Sequence, residues 1–107
     1  MMTTKELNQR VMSGQACAVV EYRRTRIEHV TYRDQKSGQQ KSFDKLVHSV
    51  ETADRSFSVE ERTDEGFNPN NYNSPLKRGQ RVVWLITAKG TNKGREINAG
   101  SLVPLID

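Results

Sequence analysis

The sequence predicts an all-β domain, a small five-stranded barrel preceded by a short N-terminal helix, on three observations. Five segments are rich in β-branched and aromatic residues and lack a helical period. All but one of the links between them are short polar or glycine-bearing turns. The 107 residues suffice for one domain with a single modest core.

Residues 1–15 read as a helix or arm and residues 16–107 as the barrel. Thr3 followed by Glu6 has the spacing of a capping box, Leu7 and Val11 fall on one helical face, and Gly14 is a natural stop. From Ala16 to Arg33 the chain predicts one long, bent strand, with a bulge near Arg23-Arg24 where the alternation loses phase. Asp34 to Gly38 is a polar turn. Lys41 to Val50 predicts a second strand, with Phe43, Lys45 and Val47 on one face and Leu46, His48 and Val50 on the other. Thr52 to Arg55 is a hairpin turn, and Ser56 to Arg62 supplies a third strand with Phe57 and Val59 pointing the same way.

Thr63 to Arg78 holds Gly66, Pro69, Pro75 and four asparagines with little apolar periodicity, which predicts a long loop. A fourth strand is expected over about 80–88 and a fifth over about 95–103, with Pro104 ending the pairing. The stretch from Lys77 to Ile97 reads as a hairpin with basic flanks and a lysine-bearing, glycine-containing tip. Five strands, a long first one and an irregular link before the fourth point to a barrel of the OB type, with an SH3-like barrel as the rival. Trp84, between Val83 and Leu85, and Phe57 are expected in the core.

Composition narrows the function classes. The net charge is +4 and the pI about 9.5. Residues 1–50 carry nine Lys/Arg against five Asp/Glu, residues 51–76 two against six, and residues 77–107 six against two. Two basic regions bracket an acidic middle, so a fold that unites them presents one face suited to phosphates. A hydrophobic fraction of 34% and a mean hydropathy of −0.80 are low for a compact domain. They imply a thin core, a sheet with one wet face, or surface covered in an oligomer, and a homodimer is the expected state. No membrane span or secretory leader is expected, the single Cys17 reads as a small core residue, and a cytoplasmic setting follows.

Enzymatic readings have little support. His29 and His48 are the two histidines, no metal-ligand spacing occurs, and no cofactor is expected. Glu60-Glu61 and Asp64-Glu65 read as a solvated acidic turn, with paired-carboxylate chemistry, or a small-ligand site, as the lesser alternative. Lys89-Gly90-Thr91 and Lys93-Gly94 lack the spacing and following helix of a phosphate loop.

Polyanion binding is better supported. Arg23, Arg24 and Arg26 lie on the first strand; Tyr32, Arg33 and Lys36 approach the first turn; Lys41 and Lys45 flank Phe43 on the second strand. Lys89, Lys93 and Arg95 line the last hairpin, and Tyr72 sits in the Asn-rich loop. In an OB barrel those two turns edge the groove where single strands lie. Cations there neutralise phosphates, and exposed aromatic faces such as Phe43, Tyr32 and Tyr72 stack on unpaired bases. A barrel-like interaction subunit that recognises an acidic partner, through the 63–78 loop or an open strand edge, is the alternative.

Four pieces carry a family resemblance: Lys36-Ser37-Gly38-Gln39-Gln40-Lys41-Ser42-Phe43, Thr63-Asp64-Glu65-Gly66, the Lys89-Gly90…Lys93-Gly94…Ile97 hairpin, and Leu102-Val103-Pro104. In these the chain resembles the small single-stranded DNA-binding, helix-destabilising proteins of filamentous phages, loosely over residues 36–104. The resemblance implies an OB-type barrel that coats single-stranded DNA without strong sequence preference, as a symmetric dimer that binds cooperatively. It implies phosphate contacts for Lys36 and Lys41, base stacking for Phe43, and a tip near Lys93 that reaches the strand or a neighbouring dimer. The chain departs from that family's pattern at Asn92-Lys93, where an aromatic is common, and at Asn98 to Ser101, where arginines are common.

Overall fold

The computed structural model describes residues 1–106. The elements run β1 (Met2–Thr3), α1 (Thr4–Met12), β2 (Cys17–Arg33), β3 (Gln40–Glu51), β4 (Ser56–Arg62), a 3-10 turn at Pro69–Asn71, β5 (Arg81–Asn92) and β6 (Arg95–Ile106). The fold is mostly β. Neighbouring strands follow the order β1-β6-β4-β3-β2-β5, and β5 also pairs with β6, so five strands, β2 to β6, join in a ring. Its weakest link is the parallel contact of β4 with β6, which rests on the single pair Glu60 and Ala99.

Thr3 caps α1, its hydroxyl accepting the Glu6 N–H at 3.1 Å, and Gly14 leaves the helix at a φ of 88°. No residue of α1 is fully buried, and Val11, expected with Leu7 on an apolar face, is exposed. The start of the chain is nonetheless tied down: Met2 and Thr3 pair in parallel with Leu105 and Ile106, and Met2 is buried.

Two expectations for the last hairpin need correction. The strands run to Asn92 and from Arg95, so the turn is only Lys93-Gly94. Both turn residues have positive φ, 53° and 77°, the backbone of a type I′ turn whose twist matches the flanking strands. Pro104 does not end the pairing: it stands opposite Val82, and β6 continues to Ile106. A proline is tolerated because β6 is almost an edge there, with β4 touching it only at Ala99 and β1 only from Leu105.

The core is a cluster of Val20, Tyr22, Val50, Val59, Val82 and Trp84, with Phe57, Leu76, Ile86 and Leu102 packed against it. Trp84 is only 2% exposed, stacks obliquely on Phe57 at 5.6 Å and donates its indole N–H to the Ala99 carbonyl at 3.0 Å. Gly100 is required beside it. At φ 147°, an added Cβ would collide with the Leu85 carbonyl and lie 2.8 Å from the Trp84 indole nitrogen.

A polar chain crosses this core. His48, 3% exposed, holds Glu61 through Nε2 at 2.8 Å and Thr25 through Nδ1 at 2.8 Å. Thr25 meets the Tyr22 hydroxyl, which donates to Ser74 Oγ at 2.8 Å. Every buried side-chain polar atom among the described residues has a partner. The chain anchors the 63–78 loop to the strands, and Leu76 closes that end of the core.

Candidate nucleic-acid interface

The bulge in β2 decides which side chains face solvent. Pairing with β3 shifts between Tyr22 and Arg24, so Arg23 is the extra residue. Val20 and Tyr22 point into the core. With unbroken alternation Arg24 and Arg26 would follow them inward; the extra residue turns Thr25 inward and Arg24, Arg26 and Glu28 outward. Cross-strand partners share a face. The outer face of β2, β3 and β4 is therefore laid out in rows: Val30 with Phe43, Glu28 with Lys45 and Arg62, Arg26 with Val47 and Glu60, and Arg24 with Ser49 and Ser58.

At one end of this face a hollow of about 540 Å³ is lined by Phe43, Lys45, Glu60, Glu61, Arg62, Thr87, Ala99, Gly100 and Ser101. The Arg62 guanidinium lies 4.5 Å from the Phe43 ring centre, and Tyr32 meets the same ring edge-on at 6.0 Å. Gly100 contributes only backbone to the lining of this hollow. Arg62 has no carboxylate within 4 Å among the described residues. Lys45 differs: it is largely buried between Glu60 at 2.8 Å and Glu28 at 3.7 Å, so its charge is already neutralised within the face.

The tip of the β5–β6 hairpin overhangs the same strands. A second hollow of about 370 Å³ lies between Lys45 and Glu60 on one side and Asn92, Lys93, Arg95, Glu96 and Ile97 on the other. The Arg26 guanidinium beside Glu28 holds that carboxyl below the usual range, with Lys45 and, more weakly, Arg95 adding to it. Glu96 is likewise held low, first by Asn98 and then by Arg55, with a smaller contribution from Lys89. Arg55 pairs with Glu96 and covers the Phe57 ring at 4.8 Å.

The structure thus brings Phe43, Tyr32, Lys45, Lys93 and Arg95 to one region, with Arg26 joined to it through Glu28 at 2.9 Å. It does not bring the rest there. Arg23 and Arg24 line a separate hollow with Arg78. Lys36, Arg33 and Lys41 stand at the β2–β3 tip, where Lys41 pairs with Asp34 at 2.9 Å and lines none of these hollows. Lys89 is exposed on β5. Tyr72 packs against Phe67 at 5.6 Å in the 63–78 loop, and burial pushes its phenol up.

Sequence reasoning missed Arg62, Arg78 and Gly100. Arg62 had a readable signal, since it alternates in phase with Ser58 and Glu60 and so opposes Phe57 and Val59. Its place over Phe43 depends on strand register, which no local pattern gives.

Among the described residues, no three His, Cys, Asp or Glu side chains stand close enough to hold a metal ion, and no helix is long and apolar enough to cross a membrane. No protein-family model matches the chain, and neither the curated proteins nor the solved structures include a match to it.

Proposed function

We propose that the chain is a non-enzymatic OB-type module that binds single-stranded nucleic acid, DNA ahead of RNA, as a cytoplasmic homodimer. The ring order supports the OB assignment: taken in chain order, its strands neighbour one another as first, second, third, fifth, fourth and first again. In such barrels the second- and third-strand face, with the loops after the first and fourth strands, receives oligonucleotides. Here that face is the outer side of β3 and β4, overhung by the β5–β6 tip.

One observation carries the reading: the Phe43 ring stands in an open hollow with the Arg62 guanidinium against it and Tyr32 at its edge. An aromatic platform beside an unpaired cation is what a base and its phosphate need. Glu60, Glu61 and Glu96 in the same region temper the positive field, so stacking carries a larger share of the affinity than the net charge implies. Titrating fluorescent oligo-dT across a salt series tests the reading. Affinity should fall as salt rises, and Phe43→Ala should weaken binding at every salt concentration; no measurable binding at low salt ends it.

A second reading, an assembly subunit that engages an acidic partner, is favoured by the edge of β2. Beyond Glu21 that strand pairs with β3 alone, because β5 pairs it only over Cys17 to Glu21. Arg24 to Arg33 is thus an open edge able to accept a further strand. Light scattering with and without a 30-mer separates the two: a stable protein complex indifferent to oligonucleotide supports this one.

A further inference from the structure

The geometry points to a second phosphate-binding site on this chain, the hollow lined by Arg23, Arg24 and Arg78, which takes the backbone of a single strand after it leaves the Phe43 platform. The inference rests on the strand-binding reading and gives the strand a direction. The hollow measures about 500 Å³, and the side chains of Ser49, Ser56 and Ser58 add hydroxyl donors to the three guanidinium groups. Its one carboxylate, Glu51, is already held by Arg23 at 3.3 Å and approached by the Ser56 hydroxyl at 3.5 Å. Arg24 and Arg78 have no carboxylate within 4 Å among the described residues, so their charge faces the hollow uncompensated. Guanidinium forks and hydroxyls together suit the oxygens of a phosphodiester.

The direction follows from charge. Beyond Phe43 on the other side lies a smaller hollow bordered by Asp44, Asp64 and Glu65, which repels an anion. Along the outer face, Phe43 and Ser49 are six residues apart on β3, roughly 20 Å of strand. A polynucleotide that stacks on Phe43 is repelled by those three carboxylates and drawn along the outer face, over the row that holds Arg26, to Arg24 and Arg78. The β2 bulge that puts Arg24 outward is what makes this end basic.

Two measurements on the full chain test it. First, inorganic pyrophosphate is titrated while the arginine Nε–Hε signals are followed by NMR. Saturable shifts at Arg24 and Arg78, with exposed Arg33 and Arg81 unmoved, are expected; equal drift of all four overturns the site. Second, the Arg24→Gln/Arg78→Gln double variant, its fold checked by Trp84 fluorescence, is compared with the parent on oligo-dT of about 4 and about 16 nucleotides. The longer strand should bind on the order of 10-fold more weakly at 0.1 M salt, with the salt slope reduced by about 1.4, and the shorter should be unaffected. Equal loss at both lengths, or loss at neither, overturns the proposal. Failure of the parent to bind either oligonucleotide sinks the strand path together with the strand-binding reading, whereas parental binding that the double variant retains in full sinks the path alone.

Discussion

The guanidinium of Arg62 lies 4.5 Å from the centre of the Phe43 ring, although the two residues are on different strands and in different charge blocks of the sequence. Both side chains line the same hollow. A base that enters it can stack on the ring while the cation stays close to its phosphate, and the cation–π contact keeps the ring oriented. Phe43→Ala should therefore cost about 1–3 kcal/mol of oligo-dT affinity. Arg62→Gln should weaken binding and reduce the salt slope by about 0.7. Fluorescence anisotropy across a salt series reads both, and an Arg62→Gln slope equal to the parent's would place that charge off the strand.

Gly100 should not accept a side chain. Its Cβ would meet the Leu85 backbone and the Trp84 indole, groups that cannot swing aside as a surface side chain can. Gly100→Ala should destabilise the fold by about 1–3 kcal/mol, read as a lower urea midpoint with an unchanged slope.

Trp84→Ala removes the largest buried side chain and should cost roughly 3–5 kcal/mol. Urea unfolding followed by far-UV circular dichroism measures it. A variant of parental stability that binds oligonucleotide poorly would place the ring on the binding face instead.

His48 joins three strands to the 63–78 loop. In His48→Leu the Glu61 carboxylate loses its buried partner, while the Thr25 hydroxyl keeps the Tyr22 hydroxyl. Glu61 reaches solvent and recovers part of the loss, so the expected cost is on the order of 1–3 kcal/mol. Hydrogen exchange should show the loss of protection extending to Leu76, whose N–H is held by Ser74. Loss confined to β3 would mean that the polar chain does not tie the loop.

The Lys41 ammonium beside Asp34 holds its carboxyl below the usual range, and the Lys36 N–H adds to this. Because folding lowers this value, the stabilisation is present above the ordinary aspartate range and is lost as pH falls through the lowered folded value. Lys41→Ala should move the Asp34 titration upward, measured by carboxyl carbon NMR. An unmoved titration would show that Lys41 is free at the hairpin tip, available to a phosphate.

Much of the fold was legible in the chain. The Thr3 to Glu6 spacing placed the helix start, β-branched runs placed the strands, and the phase slip at Arg23-Arg24 marked the bulge, since local sterics and side-chain alternation govern all three. Pro104 misled because a proline's cost depends on whether its N–H faces a partner strand, which is a property of the sheet. The β5–β6 strands ran past their expected ends because hairpin pairing continues through residues of weak propensity once a type I′ turn closes it.

For the site, the sequence by itself determined which residue types are present: aromatics interleaved with cations, an acidic middle, and no metal-ligand spacing. Alternation could even say that Phe43 and Lys45 share a face. Only the tertiary structure decided that Arg62 sits against Phe43, that Lys45 is neutralised by Glu28 and Glu60, and that Arg78 joins Arg23 and Arg24. Those outcomes depend on register between strands and on a ring closure that brings residues 15 to 55 positions apart within reach. Charges attract over distances set by that closure, and no local pattern encodes it.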